Sequence, residues 1–211
     1  MNRDEIAAAY QGMADFSAIE SLRMGFWPTT AYSRGFESMT ERYLPRIDAC
    51  IEAGWQPVTA ARSDDFTWLT RYGSGLQTHI AIGNETPAPA DGTLTVAREW
   101  VWPEQPEALA FTSFDGSALT TQVAEGDLTV TGARVPTRSA DVIVACAALP
   151  LPEGSQVTAG WTGDRVRRTL TLDCSLPRAL APLATVRVPA GMRVASARVD
   201  GTEVAFRGRD G

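Results

Sequence analysis

The chain has 211 residues, enough for one large domain or for a small segment followed by a domain of ordinary size. Hydrophobic residues make up 44% of it and charged residues 21%, a composition typical of a globular protein and not of a disordered or fibrous one. The net charge of −6 argues against nucleic acid or an anionic membrane surface as a partner, because both attract basic proteins.

The front segment, residues 1–62, is predicted to be mainly helical. Residues 3–19 form an amphipathic helix, because apolar side chains recur in steps of three and four, among them Ile6, Tyr10, Met13 and Phe16. Residues 21–27 are predicted to form a short buried strand, which Pro28 ends with a loop.

A second helix is predicted over residues 37–53, with Gly54 in the position of a left-handed C-cap. Pro45 either kinks this helix or marks its first turn. Two helices and one strand cannot close a barrel or make a sheet, so the apolar faces of this segment need a cover that the segment itself does not supply.

The remainder, residues 63–211, reads as short strands. The stretch 76–83 alternates apolar with polar or small residues, which predicts a half-buried strand. Residues 141–149 are apolar on both faces and predict a central strand. With the other Thr- and Val-rich runs, we predict a mainly β fold class: an antiparallel β-sandwich of about ten strands, preceded by two helices and one short strand.

Several phrases resemble the C-terminal part of bacterial glycoside-hydrolase-like proteins, which combine a (β/α)8 barrel with an appended β-sandwich. They are GFWPTTAYS at 25–33, AGWQPVTAAR at 53–62, WLTRYG at 68–73, HIAIGNETP at 79–87 and VPAGMRVASARVDGTEVAF at 188–206. The resemblance covers the whole chain and is strongest over 53–84. It implies that residues 1–62 are a partial barrel end and that residues 63–211 are the sandwich domain.

The resemblance also implies carbohydrate as the substrate class, but the chain shows no complete active site. Glycosidases use two carboxylates, which in a barrel stand at the C-terminal ends of strands. The one strand predicted as part of a barrel ends in Phe26-Trp27-Pro28 and carries no acid there. The catalytic residues are therefore unknown, and whether the chain acts as an enzyme is left open.

Aromatic residues are the remaining candidates for ligand contact. Phe26, Trp27 and Tyr32 follow the predicted strand on the face where a barrel binds its ligand, so they can form the wall of a sugar subsite or pack in a core. Trp100 and Trp102 alternate on one predicted strand, either within the sandwich core or as a carbohydrate-binding platform.

Three functions remain open. The first is the C-terminal accessory part of a glycoside-hydrolase-like protein, whose sandwich packs on the barrel. The second is a non-catalytic carbohydrate-binding module, and the third is a structural or assembly protein that docks through its helical front. The expected partners are carbohydrate and either the rest of a barrel or a second chain, which would cover the predicted apolar stripe of Ile6, Tyr10, Met13 and Phe16.

The chain carries little else that points to chemistry. Cys50, Cys146 and Cys174 are odd in number and widely spaced, which predicts buried thiols and not a disulfide framework or a zinc site. His79 is the single histidine, which argues against a His-based metal site and against a Ser-His-Asp triad. Its alternation with apolar residues favours a solvent-facing strand position. No metal and no cofactor are expected.

No apolar run reaches the roughly 18 residues of a membrane helix. Residues 1–12 lack the basic and apolar regions of a signal peptide. For the chain as it stands, we expect a cytoplasmic location with no membrane partner and no nucleic-acid partner.

Overall fold

The structure is a computed structural model that describes residues 3–24, 39–103, 107–163, 168–175, 186–189, 196, 198–199, 202–203 and 205. Its helices are α1 (Arg3–Met24), α2 (Leu44–Ala53) and α3 (Arg98–Val101), with a π-helical turn at Met39–Tyr43 and a 3-10 turn at Gly75–Gln77. Its strands are β1 (Ala61–Arg62), β2 (Trp68–Tyr72), β3 (His79–Asn84), β4 (Ala90–Val96), β5 (Ala108–Ser113), β6 (Leu119–Ala124), β7 (Asp127–Val135), β8 (Ser139–Leu149), β9 (Gln156–Gly163), β10 (Arg168–Ser175), β11 (Arg198–Val199) and β12 (Thr202–Glu203).

The strands form two antiparallel sheets and a short hairpin. One sheet has six strands in the order β1-β4-β7-β6-β9-β10, and the other has four in the order β2-β3-β8-β5. The hairpin pairs β11 with β12. The predicted fold class is confirmed: the protein is mainly β, and its two sheets pack as a sandwich.

The main core lies between the sheets. Alternate residues of β3, Ile80 and Ile82, point into it, and Phe111 of β5 and Leu94 of β4 are fully buried there. Strand β8 pairs with β3 on one side and with β5 on the other. It is buried along nearly its whole length, as its apolar sequence predicted.

The outer face of the four-stranded sheet forms a second core with α1 and α2. The helices contribute Ala18, Ile19, Leu22, Tyr43, Ile47 and Cys50, and the sheet contributes Trp68, Tyr72, Ala81, Ala140 and Val142. The prediction of a half-buried strand at 76–83 is therefore wrong. The strand starts at His79, and both of its faces are covered because the helices replace solvent on the second face.

The predicted strand at 21–27 is also wrong where the structure describes it, because α1 continues to Met24. Leu22 lies one turn after Ala18 and joins the same buried helical face. The hydroxyls of Tyr72 and Thr70 donate to the carbonyls of Leu22 and Arg23, which would otherwise lack partners at the helix end. Residues 25–27 lie outside the described residues.

Helix α2 begins later than the sequence predicted. The predicted helix at 37–53 is divided into the π-helical turn Met39–Tyr43 and the α-helix Leu44–Ala53, and residues 37–38 are outside the description. Pro45 occupies the first turn of the α-helix, which confirms that alternative over a mid-helix kink. Gly54 ends the helix at a φ of 84°, and its N–H donates to the carbonyls of Cys50 and Ile51.

Within the described residues, no helix is both long and apolar enough to cross a membrane.

Two glycines should respond oppositely to a methyl group. At Gly83 of β3 an added Cβ would overlap the indole ring of Trp68, whereas at Gly12 of α1 it would meet no atom within 4 Å. We expect Gly83→Ala to lower the free energy of unfolding by about 1–3 kcal/mol through overpacking. The same change at Gly12 should raise it by about 0.5–1 kcal/mol, because alanine favours a helix.

Chemical denaturation of both variants measures these effects. Equal changes of the same sign would contradict the close packing of Trp68 on β3.

Candidate functional site

The candidate site is a cleft of about 410 Å³ whose lining comes from both sheets and from the start of α2. Ile82 and Ile143 of one sheet and Leu119 of the other lie at its base, but they belong to the main core and are each only 1% exposed. Its walls carry charged and hydroxyl side chains: Arg42, Arg46, Ser113, Asp115, Ser117, Arg134 and Asp141. A cavity of this size with a few converging polar groups is the usual form of a small-molecule site.

Arg46, in the first turn of α2, is the most constrained of these groups. Its Nε lies 2.7 Å from Oδ1 of Asp141, and Nη1 donates to the carbonyl of Arg42 at 2.6 Å. Its guanidinium carbon also lies 5.0 Å from the centre of the Phe114 ring, within the range of a cation–π contact. The side chains of Arg46 and Asp141 are only 10% and 13% exposed, so this ion pair is largely removed from water.

Asp115 lies in the connection between β5 and β6, which crosses from one sheet to the other. Its carboxylate accepts hydrogen bonds from the hydroxyls of Ser113 and Ser117 and from the N–H of Ser117. Burial alone would raise the pKa of Asp115. The hydrogen bonds from both serines and the charge of Arg46 outweigh burial, so the pKa lies below its usual range. Asp115 therefore stays ionised at neutral pH and is unsuited to be a general acid.

Arg42 is held at the cleft by two neighbours. Its Nη2 donates to the Ser139 hydroxyl at 2.9 Å, and its guanidinium carbon lies 5.3 Å from the centre of the Tyr43 ring. The Tyr43 hydroxyl shares the same serine oxygen at 3.0 Å. Among the described residues, no carboxylate lies within ion-pair distance of Arg42, unlike Arg46 and Arg134. Arg134 pairs with Asp91 at the exposed rim, at 3.2 Å.

This cleft has no clear signature in the sequence. Arg46 lies beside the apolar stripe of Tyr43, Ile47 and Cys50, and Asp141 directly precedes the apolar run of β8. A charged residue next to a buried stripe was the only local signal. The two partners are 95 residues apart, so their pairing has no local signature.

The predicted ligand-binding residues, Phe26, Trp27 and Tyr32, lie outside the described residues. The described part of the predicted docking stripe is Phe16, whose surface is 64% exposed. Ile6, Tyr10 and Met13 belong to α1, but their side chains are outside the description.

The predicted strand carrying Trp100 and Trp102 is wrong, because residues 98–101 form the single helical turn α3. Trp100 is 51% exposed, whereas Trp102 packs against the main core and over Gly75. The two rings therefore do not form a shared platform. Trp102 lines the core because the turn rotates it away from Trp100.

Two of the three predicted buried thiols are confirmed. Cys50 and Cys146 are buried, and burial raises the pKa of each thiol to about 12. Cys174 is exposed, so the prediction is wrong there. It lies on β10, the edge strand of the six-stranded sheet. The described residues of β10 that pack against the main core are Leu170 and Leu172.

His79 lies on the outer face of the four-stranded sheet and is half-buried, so the predicted solvent-facing position is only partly correct. Burial lowers its pKa, and a hydrogen-bond contact of 2.7 Å between Nδ1 and the Gln77 carbonyl opposes that shift without cancelling it. Across the described part of the chain, no three His, Cys, Asp or Glu side chains come together as metal ligands.

Comparisons of the chain with protein-family models, with curated proteins and with solved structures find no match.

We expect the Arg46–Asp141 pair to show strong coupling in a double-mutant cycle. Arg46→Met should lower the free energy of unfolding by about 3 kcal/mol, because it leaves a poorly solvated carboxylate without its partner. Replacing Asp141 with Leu in that variant should restore most of the loss. Urea denaturation of the single and double variants provides the measurement.

The exposed pair Arg134–Asp91 is the matched control, since its side chains are 72% and 69% exposed. Arg134→Met should cost less than about 1 kcal/mol. If the Arg46 and Arg134 variants lost the same stability, the buried pair would have no special role.

The single histidine allows a clean pH test. Because the folded-state pKa of His79 is lowered, the unfolded chain takes up its proton first as the pH falls below about 6.5. Wild-type stability should therefore fall with decreasing pH through this window, and it should fall less in His79→Gln. Free energies of unfolding at about pH 7.5 and about pH 5.5 measure the difference; parallel pH profiles would contradict the shift.

Proposed function

We propose that this chain is the C-terminal accessory part of a glycoside-hydrolase-like protein, in which the β-sandwich packs on the barrel and catalysis resides elsewhere. The phrases that resemble this class of protein support the proposal. The strongest of them, over 53–84, lie in one connected unit: residue 55 forms a β-bridge with Tyr72, and the N–H of Gln56 donates to the Arg71 carbonyl at 3.0 Å.

The observation that carries the proposal is the position of the exposed apolar side chains. Six large apolar side chains are exposed in the described part of the chain, and five of them precede residue 60: Phe16, Met24, Ile51, Trp55 and Val58. Single exposed apolar residues are common on monomers, so it is the concentration of five of them in and just after the helical front that favours an interaction surface. The helical front therefore has one face on the sandwich and other apolar groups left for a further body.

The observed fold differs from the sequence prediction in one respect. The front segment does not lack a cover altogether, because Ala18, Ile19 and Leu22 pack on the four-stranded sheet of the same chain. What stays exposed is a second set of apolar residues on these helices and just after them. The proposed barrel contact is thus made by a segment that the sandwich already holds in place.

A carbohydrate-binding module is the second candidate, and the cleft is the observation that favours it. The arginine, carboxylate and serine side chains of its walls suit a ligand with several hydroxyl groups. The tryptophan pair gives it no support, because Trp102 packs against the core. The third candidate, an assembly protein, uses the same exposed apolar residues and differs only in the identity of the partner.

The first test compares the recombinant chain with the assembly isolated from cells that make it. We expect the recombinant chain to hydrolyse no aryl-glycoside, and the isolated assembly to be larger than 22.7 kDa and to hydrolyse at least one. Enzyme-like hydrolysis by the recombinant chain, or a native form that is the lone inactive chain, would overturn the proposal.

Variants of the exposed residues locate the contact. Phe16→Gln and Ile51→Gln should each weaken association with the rest of the assembly by about tenfold or more. Trp100→Gln removes an equally exposed apolar side chain outside the front segment and should leave association unchanged. Co-purification of tagged variants at equal expression measures the difference; a loss with Trp100→Gln alone would place the contact elsewhere.

A further inference from the structure

The cleft contains one cation whose charge the described protein does not neutralise. Arg46 is paired with Asp141, and Arg134 is paired with Asp91. The carboxylate of Asp115 accepts hydrogen bonds from the hydroxyls of Ser113 and Ser117. Among the described residues, Arg42 has only the Ser139 hydroxyl and the Tyr43 ring as side-chain partners.

Arg42 is also held in position before any ligand arrives. The hydroxyl of Tyr43 is hydrogen-bonded to the hydroxyl of Ser139, and the guanidinium group contacts both the Tyr43 ring and the Ser139 hydroxyl. A guanidinium carries five N–H donors in a rigid plane, and only one hydrogen bond from its nitrogens is accepted by a described residue. Its planar fork matches a carboxylate, with two parallel hydrogen bonds and little loss of side-chain freedom.

The other charges in the cleft limit what the anion can be. Asp115 and Asp141 line the same cavity, so a ligand with two or more negative charges would be repelled. Their oxygens and those of Ser113 and Ser117 can accept hydrogen bonds from ligand hydroxyls. The chemistry therefore fits a monocarboxylate that also carries hydroxyl groups.

The size of the cleft adds the last constraint. Its volume of about 410 Å³ accommodates a ligand of one or two sugar rings. Ile82, Leu119 and Ile143 lie beneath it but are each only 1% exposed, so recognition depends on the polar walls. The geometry points to a binding site for a uronic-acid saccharide, with the carboxylate on Arg42 and the hydroxyls toward Asp141 and the serines. The saccharide part of this inference rests on the proposed function in carbohydrate metabolism, and the carboxylate part rests on the cleft alone.

Calorimetry of the recombinant chain tests the site with cellobiouronate, a disaccharide with one carboxylate, and with neutral cellobiose, gluconate and inorganic phosphate. We expect cellobiouronate to bind with an affinity that falls as salt rises, and cellobiose to bind at least about tenfold more weakly. Gluconate separates a free sugar acid from a saccharide. Gluconate or phosphate binding as tightly as cellobiouronate would overturn the saccharide assignment.

Arg42→Gln should weaken cellobiouronate binding by about tenfold or more, and Arg42→Lys, which keeps the charge but loses the fork, should weaken it less. The matched control is Arg62→Gln, which removes an exposed arginine outside this cleft and should change binding little. Thermal unfolding of each variant checks that the fold is intact, and Arg42→Lys keeps the test meaningful if Arg42→Gln does not fold.

Unchanged binding in both folded Arg42 variants would overturn the site, as would the absence of any binding of cellobiouronate to the wild-type chain. Neither outcome affects association through Phe16 and Ile51. A failed cleft and a failed accessory function are therefore distinguishable.

Discussion

The packing of α1 and α2 on the outer face of the four-stranded sheet is the constraint on which the rest of the structure depends. Burial of Leu22 and Ile47 there contributes about 1.5–3 kcal/mol each. The hydroxyls of Thr70 and Tyr72 fix the end of α1 because they donate hydrogen bonds to its last carbonyls. The sheet must consequently be apolar on both faces, and Gly83 must lack a side chain so that Trp68 can lie flat against β3.

The same packing brings α2 to the end of the sheet, where Arg46 meets Asp141. An ion pair this poorly solvated adds little net stability, because removing both charges from water costs about as much as their attraction returns. Its effect is on position. Arg46 contacts β8 through Asp141 and the connection between the sheets through Phe114. Helix, sheet and connecting loop are thereby joined around one guanidinium group, and the cleft has a fixed shape.

Much of the sandwich could be predicted because alternation and turn residues are local signals. The outer face of β3 could not, since His79, Ala81 and Gly83 are polar or small and resemble a solvent face. Small residues are needed there because helices and an indole ring approach closely. The segment at 21–24 failed for another reason: Leu22 and Met24 fit a strand, but Leu22 also continues the helical face of Ala18, and a short apolar run cannot separate the two.

The cleft could not be predicted from the sequence, because its charged residues come together only in the folded protein. Arg42 and Ser139 are 97 residues apart, and Asp141 is recognisable as a partner only once α2 is placed on the sheet. The sequence instead suggested a binding platform of aromatic residues, since Trp100 and Trp102 are two positions apart and fit one face of a strand. Residues two apart in a helical turn point to nearly opposite sides, so a period of two over three residues does not establish a shared face.

Arg42 departs most clearly from what stability alone would select. A half-buried cation loses part of its hydration, and the described residues offer Arg42 one hydroxyl and one aromatic ring, which compensate less than a carboxylate would. Arg46, one turn later, has its carboxylate, so the fold is able to supply one at this end of the sheet. Local departures of this kind are expected where a protein binds something, because a ligand then completes the interactions that the chain leaves open. The proposed anion site therefore accounts for the placement of Arg42, which the stability of the fold alone does not.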